Sequence, residues 1–311
     1  MRLIKTCYNI LLEKKRGNEM IIDGKRVAEE IQLEIKELIQ QFLCRPPCLA
    51  VLIVGSHSAS QIYVNRKTAA CKAVGIASIK CELPFTISEE ELIREVEKLN
   101  IDPQIDGILV QLPLPPHINS NRVNYYINPQ KDVDGFHPLN VGKMLIGELD
   151  GFLPCTPFGI KTLLERTGIE VCGKHALIIG RSNIVGKPMA ALLMQSYPGG
   201  NATVTVAHRY TKNLKELCLQ ADLIIVAIGQ PKLITADMVK EGVIIVDVGI
   251  NKIHDSSKKN GYQIVGDVDF VNVAPKCAFI TPVPGGVGPM TIAMLLYNTL
   301  LSYSKSQNLN L

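Results

Sequence analysis

The 311-residue chain has no apolar run approaching the ~18 residues needed to cross a bilayer, which argues against a membrane-spanning protein. Its nine cysteines form no C-x-x-C pair. An odd number of scattered thiols reads as reduced cysteine in a cytoplasmic protein, neither a disulfide framework nor a zinc site. None of the six histidines belongs to an H-E-x-x-H or comparable cluster, so no metal is expected. Net positive charge is scarce outside one end. Residues 1–19 carry five basic and two acidic side chains, a net of +3 in a chain whose total is +4, which leaves +1 for the rest. The body therefore lacks the field of a nucleic-acid binder. The first 19 residues have some targeting character but no cleavage site behind an apolar core. A translation start at Met20 explains them best, and an appended extension is the alternative.

What is present is a 47% hydrophobic composition, enough to bury a large core and form two domains. The chain is organised around residues 175–188, H-A-L-I-I-G-R-S-N-I-V-G-K-P. Ala176 to Ile179 has the length and β-branched content of a buried strand. Gly180 ends it, and Gly186 and Pro188 lead into an apolar helical run from Met189 to Met194. Strand, glycine turn and helix make the first unit of a dinucleotide-binding fold, where a helix N-terminus offers N–H groups to a pyrophosphate. Gly180 suits the tight turn and Gly186 the close backbone approach. Ser182 stands where G-x-G-x-x-G has glycine. The loop is not G-x-x-x-x-G-K-[ST] either, since five residues separate Gly180 from Gly186 and Pro188 replaces the magnesium-binding hydroxyl. Alone, it equally suits a strand-to-helix turn of another α/β protein.

The second strand of this unit, Thr203 to Ala207, should be followed by an acid that binds the ribose 2′-hydroxyl of NAD. Instead it ends in His208-Arg209, with Arg181 in the first turn. Cations without an acid favour a 2′-phosphate, hence NADP; His208 equally suits a packed structural role. Further strands are expected over Leu223 to Ile228 and Val243 to Val248. T-P-V-P-G-G-V-G-P-M-T (281–291) then precedes a helix from about Met290 to Leu301. Its glycines bring backbone close to a ligand or make a rigid connection.

Upstream, Asp23 caps a helix with apolar positions at Val27, Ile31, Ile35, Leu38 and Phe42, which Pro46 and Pro47 end. Leu49 to Val54 is a buried strand. Ser58 or Ser60 starts a helix running to about Val74, with Gly75 as its stop. Tyr63 and Lys67 lie four apart on one face of that helix. A lysine beside a phenol can exchange protons where burial or charge lowers its pKa, though an ordinary solvated pair has the same spacing. Ile76 to Leu83 is a further strand candidate, and Ser88 with Glu91 forms a capping box. Gly107 to Val110 runs into Q-L-P-L-P-P, where prolines force an extended turn that can hold a cis bond, and Gln111 offers donor and acceptor groups. In K-D-V-D-G-F-H-P, Asp132, Asp134 and Gly135 resemble a calcium loop, but Lys143 occupies the twelfth position and calcium is rejected. The aspartates are turn chemistry, or one pins a heterocycle bearing adjacent N–H donors. In P-C-T-P-F-G-I, a domain junction, Thr156 is expected to cap a helix with Pro157 at its first position and Gly168 at its end.

Y-V-N-R-K, V-Q-L-P-L-P, K-D-V-D-G, P-C-T-P, G-R-S-N-I-V-G-K-P and T-P-V-P-G-G-V-G-P-M-T occur in one order. Together they make the chain resemble the bifunctional methylenetetrahydrofolate dehydrogenase/methenyltetrahydrofolate cyclohydrolase family from Met20 to about Tyr303. The resemblance implies an α/β protein of two domains with a cleft between them: a folate-binding catalytic domain over 20–156 plus 288–311, and a Rossmann-type NADP-binding domain over 157–287. It implies oxidation of 5,10-methylenetetrahydrofolate by NADP, then hydrolysis of the methenyl product to 10-formyltetrahydrofolate. Hydride transfer mainly needs two rings held face to face, whereas hydrolysis needs proton transfers.

By resemblance Lys67 is the acid/base residue of hydrolysis, Gln111 orients it, Tyr63 packs on the aminobenzoate ring, and Asp134 holds the pterin-side N–H groups. Leu112, Pro284, Gly285 and Gly286 line the folate pocket. Gly180, Arg181, Ser182, Ile184, Gly186, Pro188, His208, Arg209, Thr211 and Ile250 bind the cofactor. A homodimer joined through the Rossmann domains is implied, in the cytoplasm. Arg209 stands where other members have serine. Rival readings are a dehydrogenase of the shikimate or amino-acid type, a monofunctional dehydrogenase of this fold, and a catalytically silent folate or nucleotide module. The first leaves K-D-V-D-G and P-V-P-G-G-V-G-P unexplained, and the last is disfavoured by the presence of Lys67, Gln111 and Asp134.

Overall fold

A computed structural model describes residues 20–309 except 43–44, 56–57, 149 and 259–260. The reading of residues 1–19 lies outside the described residues. The chain divides into two compact units, one formed by Glu29–Cys155 and Ile292–Leu311, the other by Thr156–Thr291 with the described residues up to Ala28. Among the described residues no helix is long and apolar enough to cross a membrane.

The first unit holds a three-stranded parallel sheet in the order β2-β1-β3, with β1 at Cys48–Val54, β2 at Ala77–Leu83 and β3 at Gly107–Val110. Central β1 is buried along its whole length and reads as an unbroken apolar run, as a strand covered on both faces must. Helix α1 (Gly24–Gln40) leads into this unit. Asp23 Oδ1 accepts the Arg26 N–H at 3.0 Å at its start, and Val27, Ile31 and Ile35 form its buried stripe. Helix α2 (Ser58–Val74) connects β1 to β2 and stops at Gly75, which takes the left-handed φ of 90°. Helix α3 (Glu89–Ile101) starts with the expected capping box: Ser88 Oγ accepts the Glu91 N–H, and Glu91 Oε2 accepts the Ser88 N–H. Two short helices follow, α4 (Ser120–Tyr126) and α5 (Pro138–Ile146).

Helix α6 (Cys155–Arg166) begins one residue before the expected cap, so Thr156 lies inside its first turn and Pro157 is its third residue. The Thr156 hydroxyl is engaged elsewhere, 2.9 Å from that of Thr291. Proline fits there because the first-turn N–H groups have no partner within the helix.

The second unit is a five-stranded parallel sheet in the order β10-β7-β6-β4-β5. Its strands are β4 (His175–Ile179), β5 (Thr203–Ala207), β6 (Leu223–Val226), β7 (Val243–Asp247) and β10 (Cys277–Ile280). Helices α7 (Gly186–Leu193) and α8 (Leu214–Gln220) make the first two crossovers. A hairpin of β8 (Asn251–His254) and β9 (Tyr262–Val265), then the single turn α9 (Phe270–Val273), separates β7 from β10. Within the unit the strands run 2-1-3-4-5, a doubly wound order that switches direction at β4. Leu177, Ile179, Ile224, Val226 and Ile245 sit in its buried core. Strand β6 is two residues shorter than its apolar pattern, because Ala227 and Ile228 turn out of the sheet towards a glycine of φ 68°.

Residues 20–22 join this sheet rather than the first one. Ile280 N–H donates to Met20 O and Ile22 N–H to Ile280 O, both at 2.8 Å. Helix α10 (Val287–Ser306) exceeds the expected span at both ends, because Val287-Gly288-Pro289 at its start and buried Ser302 and Ser304 near its end do not continue the apolar pattern. In the first unit its Ser302 hydroxyl donates to Asp106 O and Gln130 O, and its Tyr303 hydroxyl to Arg45 O.

Candidate active site

In the first unit, α2 and the end of β3 bring Lys67 and Gln111 together. Lys67 Nζ donates to Gln111 Oε1 at 3.0 Å. Gln111 follows β3 and keeps its register, its N–H donating to Leu52 O at 2.8 Å. Its Nε2 donates to Leu112 O at 2.7 Å, which turns Oε1 towards the lysine. Leu112 therefore shapes the site through its carbonyl, just before a cis Leu112–Pro113 bond of the kind the proline cluster allows. Tyr63 lies one helical turn before Lys67, and both are half-buried while Val64 and Cys71 point into the core.

The two aspartates of K-D-V-D-G separate in role. Asp132 is buried and its carboxylate is consumed locally: it accepts N–H bonds from Phe136 (3.2 Å), His137 (2.8 Å) and Asn140 Nδ2 (2.8 Å). Burial nevertheless pushes its carboxyl up to about 7. Asp134 is the one that feels the charge of Lys67. Loss of hydration raises its pKa, while the lysine charge and a hydrogen bond from Cys155 pull it back. Burial and the neighbouring Asp134 hold the Cys155 thiol well above its usual pKa, so it remains a donor, 3.3 Å from Val133 O. Asn298 on α10 fixes the same loop, donating to Val133 O at 2.8 Å and Leu153 O at 3.0 Å. Cys155 and Asn298 are supports that sequence reading missed. P-C-T-P was visible as a motif, but a lone asparagine in an apolar helix carried no signal. A lysine held by a neutral acceptor beside a half-buried carboxylate can move protons and bind N–H groups of a ring.

In the second unit the glycine loop leaves the sheet where the strand order reverses. A Cβ on Gly186 would lie 2.2 Å from Gly180 O, and one on Gly180 would lie 2.3 Å from Ala227 O. Only glycine permits this cradle. Ser182 Oγ accepts the Val185 N–H (3.0 Å) and the Gly186 N–H (3.4 Å), so its hydroxyl ties the loop. The N–H groups of residues 181–184 have no backbone or side-chain partner among the described residues, and Ile184 is exposed. Pro188 is buried within α7. At the end of β5, His208 N–H donates to Thr211 Oγ1 at 2.9 Å and the His208 carbonyl accepts the Thr211 N–H at 2.8 Å, closing a tight turn. The Arg181 and Arg209 guanidiniums lie 5.7 and 4.8 Å from the ring centre of Tyr210. Ile250 is exposed after β7. Oriented amides, a glycine cradle and paired arginines fit a dinucleotide with a 2′-phosphate. Pro284, preceded by a cis bond, Gly285 and Gly286 also lie in this unit; Gly285 O accepts the Lys25 N–H at 2.8 Å.

Residues 22–134 match the catalytic-domain model of tetrahydrofolate dehydrogenase/cyclohydrolase, and residues 154–307 match the NAD(P)-binding-domain model of the same family. The chain belongs to the tetrahydrofolate dehydrogenase/cyclohydrolase family. It is similar to the bifunctional protein FolD of Protochlamydia amoebophila, 98% identical over 292 residues that cover 94% of this chain and 100% of the relative. A FolD of Prosthecochloris aestuarii is 53% identical, with 93% and 100% covered. Among solved structures, FolD of Campylobacter jejuni is 50% identical with a TM-score of 0.86, covering 93% of this chain and 98% of its own. The Trypanosoma brucei enzyme, solved with NADP and an inhibitor, is 39% identical with a TM-score of 0.88, covering 94% and 99%. This chain is accordingly a bifunctional one-carbon folate enzyme, a dehydrogenase and a cyclohydrolase, and the shikimate-type, monofunctional and silent readings fall away.

Proposed function

We propose that one constellation divides the two reactions between positioning and proton transfer. The enzyme oxidises 5,10-methylenetetrahydrofolate with NADP and then hydrolyses the methenyl product to 10-formyltetrahydrofolate. The observation that carries this reading is the Lys67–Gln111 hydrogen bond of 3.0 Å beside the raised carboxyl of Asp134. Lys67 serves the proton transfers as water adds to the methenyl carbon and the ring opens. Gln111 fixes the lysine head and Tyr63 limits its movement and packs on the aminobenzoate ring. Asp134 pairs with the pterin-side N–H groups and Leu112 lines the folate pocket beside it, while Pro284, Gly285 and Gly286 are assigned to folate by their motif alone. NADP, when bound, accepts the hydride. The amides of residues 181–184, in the cradle shaped by Gly180, Gly186 and Pro188, hold and orient it with His208, Thr211 and Ile250, and Arg181 and Arg209 pair with its 2′-phosphate.

A homodimer joined through the nucleotide unit is supported by β5, an edge strand that leaves Val206 40% exposed. A reducing cytoplasm suits the described cysteines, which are all free thiols. There the formyl product would supply one-carbon units to purine and amino-acid biosynthesis. The domain division proposed is 20–156 plus 288–311 for folate and 157–287 for NADP. The test follows reduced cofactor and methenyl absorbance separately with NADP or NAD, then adds methenyltetrahydrofolate alone. Reduction with NADP and consumption of added methenyl substrate support the reading. Reduction without hydrolysis removes the role given to Lys67.

A further inference from the structure

Two buried carboxylates outside the site described above join the loops at the carboxyl ends of β6 and β7. Asp247, the last residue of β7, accepts the N–H groups of Gly249 and Asp267 on Oδ1 and that of Val268 on Oδ2, each at 2.9 Å. Asp267, fully buried, passes the chain of contacts on. Its Oδ2 accepts the N–H groups of Ile228 and Gly229 at 2.9 Å, and its Oδ1 accepts Asn251 Nδ2 at 2.8 Å. The flanking glycines exist for these oxygens. A Cβ on Gly249 would lie 2.4 Å from Asp267 Oδ1, and one on Gly266 would lie 1.8 Å from Asp247 Oδ2.

The place of this lattice gives it meaning. The loop that Asp267 ties down through Ile228 and Gly229 follows β6, next to β4 in the sheet. It is also the loop whose Ala227 carbonyl crowds Gly180. Asn251 adjoins exposed Ile250. The 227–229 loop borders the point where the strand order reverses, where doubly wound sheets bind their ligand, and Asp267 couples the 250–251 segment to it through Asn251. We infer that Asp267 is a positioning residue for the dinucleotide, holding the 227–229 and 250–251 segments in one geometry through its two carboxylate oxygens. The inference rests on the proposed placement of NADP at that switch point.

The test uses the asymmetry of the two reactions, since hydrolysis of added methenyltetrahydrofolate needs no nucleotide. Asp267→Asn presents an NH2 group where two N–H donors or Asn251 need an acceptor. The expected result is a rise of about tenfold or more in KM for NADP, with hydrolysis of added methenyl substrate and KM for the folate within about twofold of wild type. Asn251→Ala removes one bond to the same carboxylate and should raise KM for NADP by about threefold, again without loss of hydrolysis. Parallel loss of both activities in Asp267→Asn, or an unchanged KM for NADP in either variant, overturns the inference. If Asp267→Asn does not fold, Asn251→Ala decides by the same criteria. Failure of the wild type to reduce NADP would instead overturn the proposed placement itself.

Discussion

Lys67→Met separates the two reactions most sharply. The substitution keeps an unbranched apolar stem as far as Cε while removing the ammonium that Gln111 Oε1 accepts from at 3.0 Å. A positioned acid/base group contributes about 10²–10⁴-fold to a proton-transfer step, or about 2.7–5.5 kcal/mol of barrier. Hydrolysis should fall by that factor. Hydride transfer, which needs ring alignment, should lose only what the lysine adds to binding, about tenfold or less, near 1.4 kcal/mol. A second effect follows from Asp134. Its carboxyl is already raised by loss of hydration, and the lysine charge is one of the influences holding it down. Without that charge it rises further, so the folate KM of the variant should worsen as pH falls, more steeply than that of wild type. The assay monitors methenyl absorbance after addition of methenyltetrahydrofolate and, separately, NADPH formation from the methylene substrate, each across pH. Equal fractional loss of the two activities would refute the division of labour.

Arg209→Ala should raise KM for NADP by about tenfold, the size of one charge-assisted hydrogen bond, and leave KM for NAD unchanged; equal effects on both cofactors would dissociate Arg209 from the 2′-phosphate. Asp132→Asn addresses stability. With a folded pKa of about 7 against a usual 3.8, wild-type Asp132 favours the fold below pH 4 and loses that contribution as pH rises through 7. The full change is on the order of 4 kcal/mol. The urea midpoint of wild type should therefore fall between pH 5 and 8 more than that of the variant, and parallel curves would contradict the assignment. Asn298→Leu strands the Val133 and Leu153 carbonyls, costing about 2–4 kcal/mol in denaturant unfolding and raising the folate KM through the loop that carries Asp134. An unchanged midpoint would show that those carbonyls find other donors.

Local chemistry made much of the molecule legible. The capping box at Ser88 and Glu91, strands β3 and β5, and the stop at Gly75 each follow from a few adjacent residues whose preferred geometry agrees with the fold. Ser58 or Ser60 was equally eligible to start α2, and the helix begins at Ser58. Thr156 misled because a good capping residue becomes an ordinary first-turn residue when the chain enters the helix one position earlier. The hairpin of β8 and β9 escaped notice, its strands being only four residues each, partly exposed and, in β8, mostly polar.

The sequence by itself determined the family, the α/β class, and the lysine, glutamine, aspartate and glycine-loop residues on which the proposed chemistry depends. Residue type and spacing encode those, since a reaction demands particular groups. The tertiary structure alone decided which aspartate of K-D-V-D-G is consumed by its own turn and which feels the charge of Lys67, where residues 20–22 pair, and that Asp267 reaches two loops. Those outcomes depend on burial and on partners far along the chain. A carboxylate's role is set by the N–H groups that surround it, and in Asp267 these come from Ile228, Gly229 and Asn251, in segments joined only when the sheet forms.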